Sequence, residues 1–265
     1  MPTSDLVGAK IHYQDVGSGK DTVLLLHAFP LHSGMWSRQV TALSTHFRVI
    51  APDYPGLGKS TPRPEASTME ILAEQVLGLL GSLRVDRAVV VGLSMGGYLA
   101  FEIYRQRPGL FRGLVLCDTR PGADTPEGAA NRETFAKNAI EKGLHWVADE
   151  MTPKLLKPQP DAAAVREVRA LIGHGTPAGV AAAQRGMARR PDSTPTLTLS
   201  SISCPTLVVV GAEDTLTPPP EAEKMVAGIK GAKLAKIPGA GHLPNIENPA
   251  AFDLALHDFV TGLPK

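Results

Sequence analysis

The sequence predicts an α/β protein with a mostly parallel, twisted sheet flanked by helices, and three observations carry that expectation. Short apolar runs alternate with segments of helical period along most of the 265 residues. Those runs are apolar nearly throughout, as strands covered on both faces are, where a half-exposed strand would alternate. With 43% hydrophobic and 20% charged residues, the chain can fill one large core, with or without an insertion.

The first element is "KIHYQDVGSGK" (10–20), which reads as an antiparallel lead-in strand. "TVLLLH" (22–27), "FRVIAPD" (47–53), "RAVVVGL" (87–93) and "FRGLVLCDT" (111–119) follow as buried strands. Helical spacing is clearest over 68–84, where Met69, Leu72, Val76, Leu79 and Leu80 share a face. A second helix over 95–107 sets Leu99 and Ile103 on one side, and Pro108 closes it. Then about 85 residues pass before the next strand, "PTLVVVG" (205–211), too many for an ordinary connection. Helical patches at 127–150, 161–172 and 177–189 make 122–195 an expected helical cap. "RPDSTPTLTLSSIS" returns the chain to a core made of 1–121 and 196–265. "AKLAKIP" (232–238) is the last strand, and a final helix runs from near Pro249 to about Val260.

Composition narrows the function. A net charge of +1 carries no electrostatic footprint for nucleic acid or anionic lipid. The longest apolar runs are far too short to cross a bilayer, and the N-terminus shows no basic segment followed by an apolar stretch. Cys117 and Cys204 lie in or beside strand-like runs and read as packed free thiols, so a cytoplasmic protein is expected. There is no internal repeat and no low-complexity tract.

Two glycine-rich turns compete for attention. "PGLGKST" (55–61) ends like a phosphate-binding loop, but the pattern needs a glycine where Asp53 stands. It also needs a helix at the Lys-Ser pair, and Pro62 and Pro64 keep the chain extended there. This is a turn away from the strand that ends at Asp53. The other, "VVVGLSMGGYLAF" (89–101), places G-x-S-x-G between an all-valine strand and an amphipathic helix. A serine on so tight a turn takes strained backbone angles, and Gly92 and Gly96 remove the side chains that would clash. Ser94 Oγ then stands clear at the carboxyl ends of the strands, where open α/β sheets bind ligands. The helix that follows aims its first amides at the same place.

A serine needs a base to become a nucleophile. Of eight histidines, His242 in "IPGAGHLPNIENP" follows the last strand on a Gly-rich loop, which puts it on the same edge of the sheet. His257 and His12 fall inside elements, His145 and His174 fall in the cap, and His27 suits a role holding loop backbone. Asp214 in "VVVGAEDTLTPP" ends the preceding strand and can hold the far imidazole nitrogen. Glu213 points the other way, and Asp118 at the end of "LVLCD" is the competitor for the acid. Asp214 is preferred.

Together the elbow "GLSMGG", the loop "HAFP", the turn "DYPGLGKS", the strand "GAEDTLTPP" and the order Ser–Asp–His resemble the α/β-hydrolase family. The resemblance covers essentially the whole chain and runs closest to small bacterial carboxylesterases and 3-oxoadipate enol-lactonase-like hydrolases. It implies the α/β-hydrolase fold, with the cap inserted after its sixth strand. It also implies an oxyanion hole made by the backbone N–H groups of Phe29 and Met95, with His27-Ala28 where the family usually has His-Gly. Dehalogenases and epoxide hydrolases of this fold attack with an aspartate, and here that place holds Ser94.

The expected activity is hydrolysis of small or short-chain acyl esters through an acyl-enzyme, with no cofactor and no metal, since no H-E-x-x-H or C-x-x-C is present. Candidate substrate contacts in the cap are Leu144, Trp146, Met187 and His174, with Met151 and Leu155 nearby. No arginine or lysine cluster there demands a dicarboxylate, which favours neutral esters. Lactone hydrolysis, C–C hydrolysis and perhydrolysis are the rival chemistries, and a receptor-like binding protein is the rival class. The expected partners are a small-molecule ester and water, with neither nucleic acid nor membrane, in a monomer or small homo-oligomer.

Overall fold

The computed structural model describes residues 2–6, 8–63, 67–195 and 201–264. The strands are β1 (Thr3–Leu6), β2 (Ala9–Val16), β3 (Thr22–Leu26), β4 (Arg48–Pro52), β5 (Ala88–Leu93), β6 (Phe111–Cys117), β7 (Thr206–Gly211) and β8 (Lys233–Ile237). Among the described residues they form one sheet in the order β1-β2-β4-β3-β5-β6-β7-β8. β2 runs antiparallel to β1 and β4, and every later pairing is parallel. Leu24 and Leu25 of β3 and Val89, Val90 and Val91 of β5 have no exposed surface, as their unbroken apolar runs require.

The six core strands expected from sequence are present, each within two residues of the expected ends, and so is the antiparallel lead-in. β1 was not expected: it pairs only with β2, half of it is exposed, and its sequence TSDL carries no apolar pattern. The helices α1 (Ser37–Leu43), α2 (Met69–Ser82) and α3 (Met95–Gln106) flank the first half of the sheet. α2 begins where Thr68 accepts a hydrogen bond from Ile71 N, and Met69, Leu72, Val76, Leu79 and Leu80 are buried as their spacing predicts.

Between β6 and β7 come α4 (Pro126–Leu155), α5 (Ala162–Gly173) and α6 (Pro177–Ala188). α4 and α6 both start with Thr-Pro, the threonine capping and the proline preset in the first turn. α4 is two helices joined at Gly143, whose φ of 77° breaks the helical path. It packs against both α5 and α6. The returning segment falls partly on residues 196–200, and Pro64 of the "TPRP" stretch on 64–66, outside the described residues. Three further helices, α7 (Pro219–Gly228), α8 (Pro244–Glu247) and α9 (Pro249–Thr261), complete the chain. Cys117 is buried and Cys204 half-buried, both as free thiols. No helix among the described residues is long and apolar enough to cross a membrane.

Candidate active site

The site is built from the carboxyl ends of the central strands. At the β5–α3 turn, Ser94 holds φ 55° and ψ −112°, a left-handed geometry that costs a non-glycine residue about 1–3 kcal/mol. The surroundings enforce it. Ser94 N donates to Cys117 O at 2.9 Å, and Ser94 O accepts from Thr119 Oγ at 2.8 Å. A Cβ on Gly92 would run into the Gly96 carbonyl, and one on Gly96 into the Leu26 carbonyl, so α3 can start this close to β3 only with glycine there. From Ala88 through Tyr104 only Ser94 is not buried, so this turn presents one side chain and it is a hydroxyl.

His242 stands on the loop after β8, on the short link into α8, and is 1% exposed. Its Nδ1 lies 2.8 Å from Asp214 Oδ2 and 3.3 Å from Thr217 Oγ. A ring nitrogen against a carboxylate carries the proton, so Nδ1–H donates and Nε2 is left as the acceptor. Asp214 follows β7, and its Oδ1 accepts from Leu216 N at 2.8 Å and Thr217 N at 3.2 Å. Thr217 Oγ donates to Oδ2 at 2.7 Å. Burial pushes this carboxyl up, but the His242 hydrogen bond and charge, together with Thr217, prevail and hold it at about 2.

Asp118 sits beside this pair, so the two acids that compete in the sequence are neighbours in space. One ligand atom each from Asp118, Asp214 and His242 lies within 4.8 Å of the others. The imidazole turns to Asp214, while Asp118 Oδ1 accepts from Gly211 N at 2.8 Å. Burial first, then the Asp214 charge, raises the Asp118 carboxyl well above the usual carboxylate range. Its Oδ2 has no hydrogen-bond partner among the described residues. Hydrogen bonds already claim both oxygens of Asp214 and Nδ1 of His242, an arrangement that suits a proton relay better than a metal ion.

The loop after β3 supplies Phe29 to the same place. His27 anchors that loop: Nδ1–H donates to Ala28 O at 3.0 Å, Nε2 accepts from Tyr54 N at 3.1 Å, and the ring stacks on Tyr54 at 3.7 Å. Burial lowers His27 to about 4, in keeping with a neutral ring whose second nitrogen must accept. Met95 opens α3, where its amide has no carbonyl one turn back to bond. The "PGLGKS" turn folds around a buried carboxylate instead of a phosphate. Asp53 accepts from Ser33 N at 2.8 Å, Lys59 N at 2.9 Å and His12 Nδ1 at 2.8 Å, and Gly56 and Gly58 take φ of 75° and 61° to bring the chain back.

Ser94, His242, Thr217 and Phe29 line one cavity of about 340 Å³, together with Met151, Leu155 and Met187 from the helices between β6 and β7. Of the expected substrate contacts, Met187 lines it. Leu144 and Trp146 are not among its lining residues and pack against the core, Trp146 at 4.9 Å behind Phe135, which does line it. His174 is also absent from the lining and meets His32 edge-on at 5.3 Å. Sequence reasoning found no arginine or lysine cluster in the cap that demands a dicarboxylate; Arg120, Arg132 and Lys154 line the cavity. Arg120 precedes α4, and Arg132 and Lys154 lie on opposite sides of its Gly143 break, so no local pattern shows the three together. Glu247 was missed as well: it accepts from Gly241 N at 2.7 Å and from Lys157 N at 2.8 Å, fixing the His242 loop to the end of α4.

The sequence profile of the alpha/beta hydrolase family matches residues 23–253. Among solved structures, a thermophilic esterase from Thermogutta terrifontis with malate bound superposes with a TM-score of 0.94 at 39% identity, over 99% of this chain and 97% of that one. The pimeloyl-[acyl-carrier protein] methyl ester esterase of Nitrosomonas europaea is 29% identical over 253 residues, 92% of this chain and 97% of its own length. The 3-oxoadipate enol-lactonase 1 of Acinetobacter baylyi is 30% identical over 237 residues, 87% of this chain and 85% of its own. With its parallel sheet, its serine on a strained strand-to-helix turn and these relatives along nearly its whole length, the chain belongs to the α/β-hydrolase family.

Proposed function

We propose that the chain is a serine hydrolase of carboxylic esters, with Ser94 as nucleophile, His242 as base and Asp214 as the acid that orients the base. The observation that carries this reading is the His242 Nδ1–H donated to Asp214 at 2.8 Å beside the cavity that Ser94 and His242 share. His242 Nε2 takes the Ser94 proton as Oγ attacks the ester carbonyl. The tetrahedral oxyanion rests on the amides of Phe29 and Met95, each such donor being worth about 2.7–4 kcal/mol in the transition state. The C–O bond to the alcohol breaks, the alcohol leaves with the proton from His242, and water repeats the sequence on the acyl-enzyme.

In this reading residues 122–195 act as a cap over a core of 1–121 and 196–265, since α4 and α6 supply the far wall of the cavity. A cytoplasmic setting fits the two free thiols. Lactone cleavage on the same three residues is the second reading, favoured by the enol-lactonase relative. The test is p-nitrophenyl acetate turnover with active-site titration by a phosphonate. One equivalent should attach to Ser94, and Ser94→Ala should be inactive while melting as the parent does. A Ser94→Ala protein with the parent rate would end the proposal, and labelling without turnover would favour a receptor-like role.

A further inference from the structure

The electrostatics of the cavity wall go beyond ester hydrolysis in general. Asp124, just ahead of α4, has a side chain only 3% exposed and is met by three guanidinium groups. Arg120 Nη2 lies 3.0 Å from Oδ1, Arg190 Nη1 2.8 Å from Oδ2, and Arg132 Nε donates to Oδ2 as well. Arg190 is buried, donates to Met187 O at 3.0 Å and Gly122 O at 2.9 Å, and lies over the Tyr98 ring at 4.2 Å. One carboxylate meets three cations, and even with Asp192 acting on Arg190 the cluster stays net positive. The two guanidinium groups that reach the cavity are Arg120 and Arg132.

Among the described residues no Asp or Glu lines that cavity to take up the excess. Lys154 adds a third cation at the lining, and its own partner, Glu150 at 3.4 Å, is not part of it. Gln184 does not neutralise Arg132 either; its Oε1 accepts from Nη1 at 2.8 Å and holds the guanidinium in place. A fork of fixed N–H donors matches a planar carboxylate, and water exclusion by a bound ligand strengthens the pairing. Met151, Leu155 and Phe135 supply apolar wall in the same cavity, the right surface for a short methylene chain.

We propose that Arg120 and Arg132 form an anion subsite of the Ser94 cavity, and that the substrate is a short half-ester of a dicarboxylic acid whose free carboxylate docks there while its ester carbonyl meets Ser94. The placement of the ester end rests on the hydrolase reading above; the anion site itself does not. This proposal departs from the sequence-based preference for neutral esters, which could not see three arginines converge on one aspartate.

Two measurements test it. The first compares kcat/KM for monomethyl glutarate with that for methyl pentanoate, which puts a methyl where the carboxylate would be. The half-ester should be favoured about ten-fold or more, the preference should shrink with added salt, and Arg120→Gln should erase most of it through KM, with Arg120→Lys restoring part. The second titrates glutarate into the Ser94→Ala protein by calorimetry; binding should weaken about ten-fold on adding Arg120→Gln. Turnover of methyl pentanoate with no preference for the half-ester, and no glutarate binding, would sink the anion subsite and leave the hydrolase reading standing. Arg120-dependent glutarate binding without turnover of either ester would sink the hydrolase reading and leave the subsite.

Discussion

Replacing Asp214 by asparagine changes one atom, and the structure dictates which way the amide must face. Oδ1 is met by two backbone donors, Leu216 N at 2.8 Å and Thr217 N at 3.2 Å. An NH₂ group there would leave buried donors facing donors, at a cost of about 1–3 kcal/mol for each one unpaired. At the Oδ2 position the partners can adapt. Thr217 Oγ can rotate to accept, and His242 Nδ1 can accept once its proton moves to Nε2. The new amide therefore points its NH₂ at His242 and locks the imidazole into the tautomer that cannot take the Ser94 proton. In a serine-protease triad the same change lowers kcat about 10⁴-fold, or about 5 kcal/mol of barrier, and a loss of that order is expected here. Initial rates on p-nitrophenyl acetate, with thermal melts to show an intact fold, measure it. A folded Asp214→Asn protein within about ten-fold of the parent would mean that Asp214 does not set the histidine tautomer.

Asp118→Asn should behave differently: the imidazole turns to Asp214 and not to Asp118, an asparagine there can still accept from Gly211 N, and kcat should stay within several-fold. Loss of activity on the scale expected for Asp214→Asn would reverse the two roles. His27 gives a stability prediction. It sits at about 4 in the fold against 6.5 in its ordinary state, so between those values the unfolded chain binds the extra proton. Stability should then be full above about pH 6.5 and fall by about 3 kcal/mol as pH drops to about 4, a slope that urea unfolding would detect and His27→Gln should flatten. An identical slope in both proteins would refute the neutral assignment.

What could be read from sequence is what local geometry encodes. Gly92, Gly96 and Gly97 flank Ser94 because the turn has no room for side chains, so the proposed nucleophile declares itself within six residues. Strand ends were legible for a similar reason, since burial on both faces leaves an apolar run and a turn needs its own residues. The missed helices α1, α7 and α8 are short, and β1 carries no apolar pattern. Leu144, Trp146 and Met187 look alike in sequence, and which of them reaches the cavity depends on how α4 resumes after Gly143.

The acids show where local reading ends. Asp118, Asp124 and Asp214 are the same residue, and all three lie within a few residues of the end of a strand or the start of a helix. Asp214 meets two backbone amides, a hydroxyl and an imidazole, and stays ionised at about 2. Asp118 is buried against that negative charge with one amide for company, and its carboxyl is driven up. Asp124 is ringed by three arginines that come from positions 120, 132 and 190, and it too is held at about 2. Each acid is set in part by groups distant in sequence, His242 for Asp214, Asp214 for Asp118 and Arg190 for Asp124, so a motif can mark a candidate serine while the state of the acids around it is decided only in space.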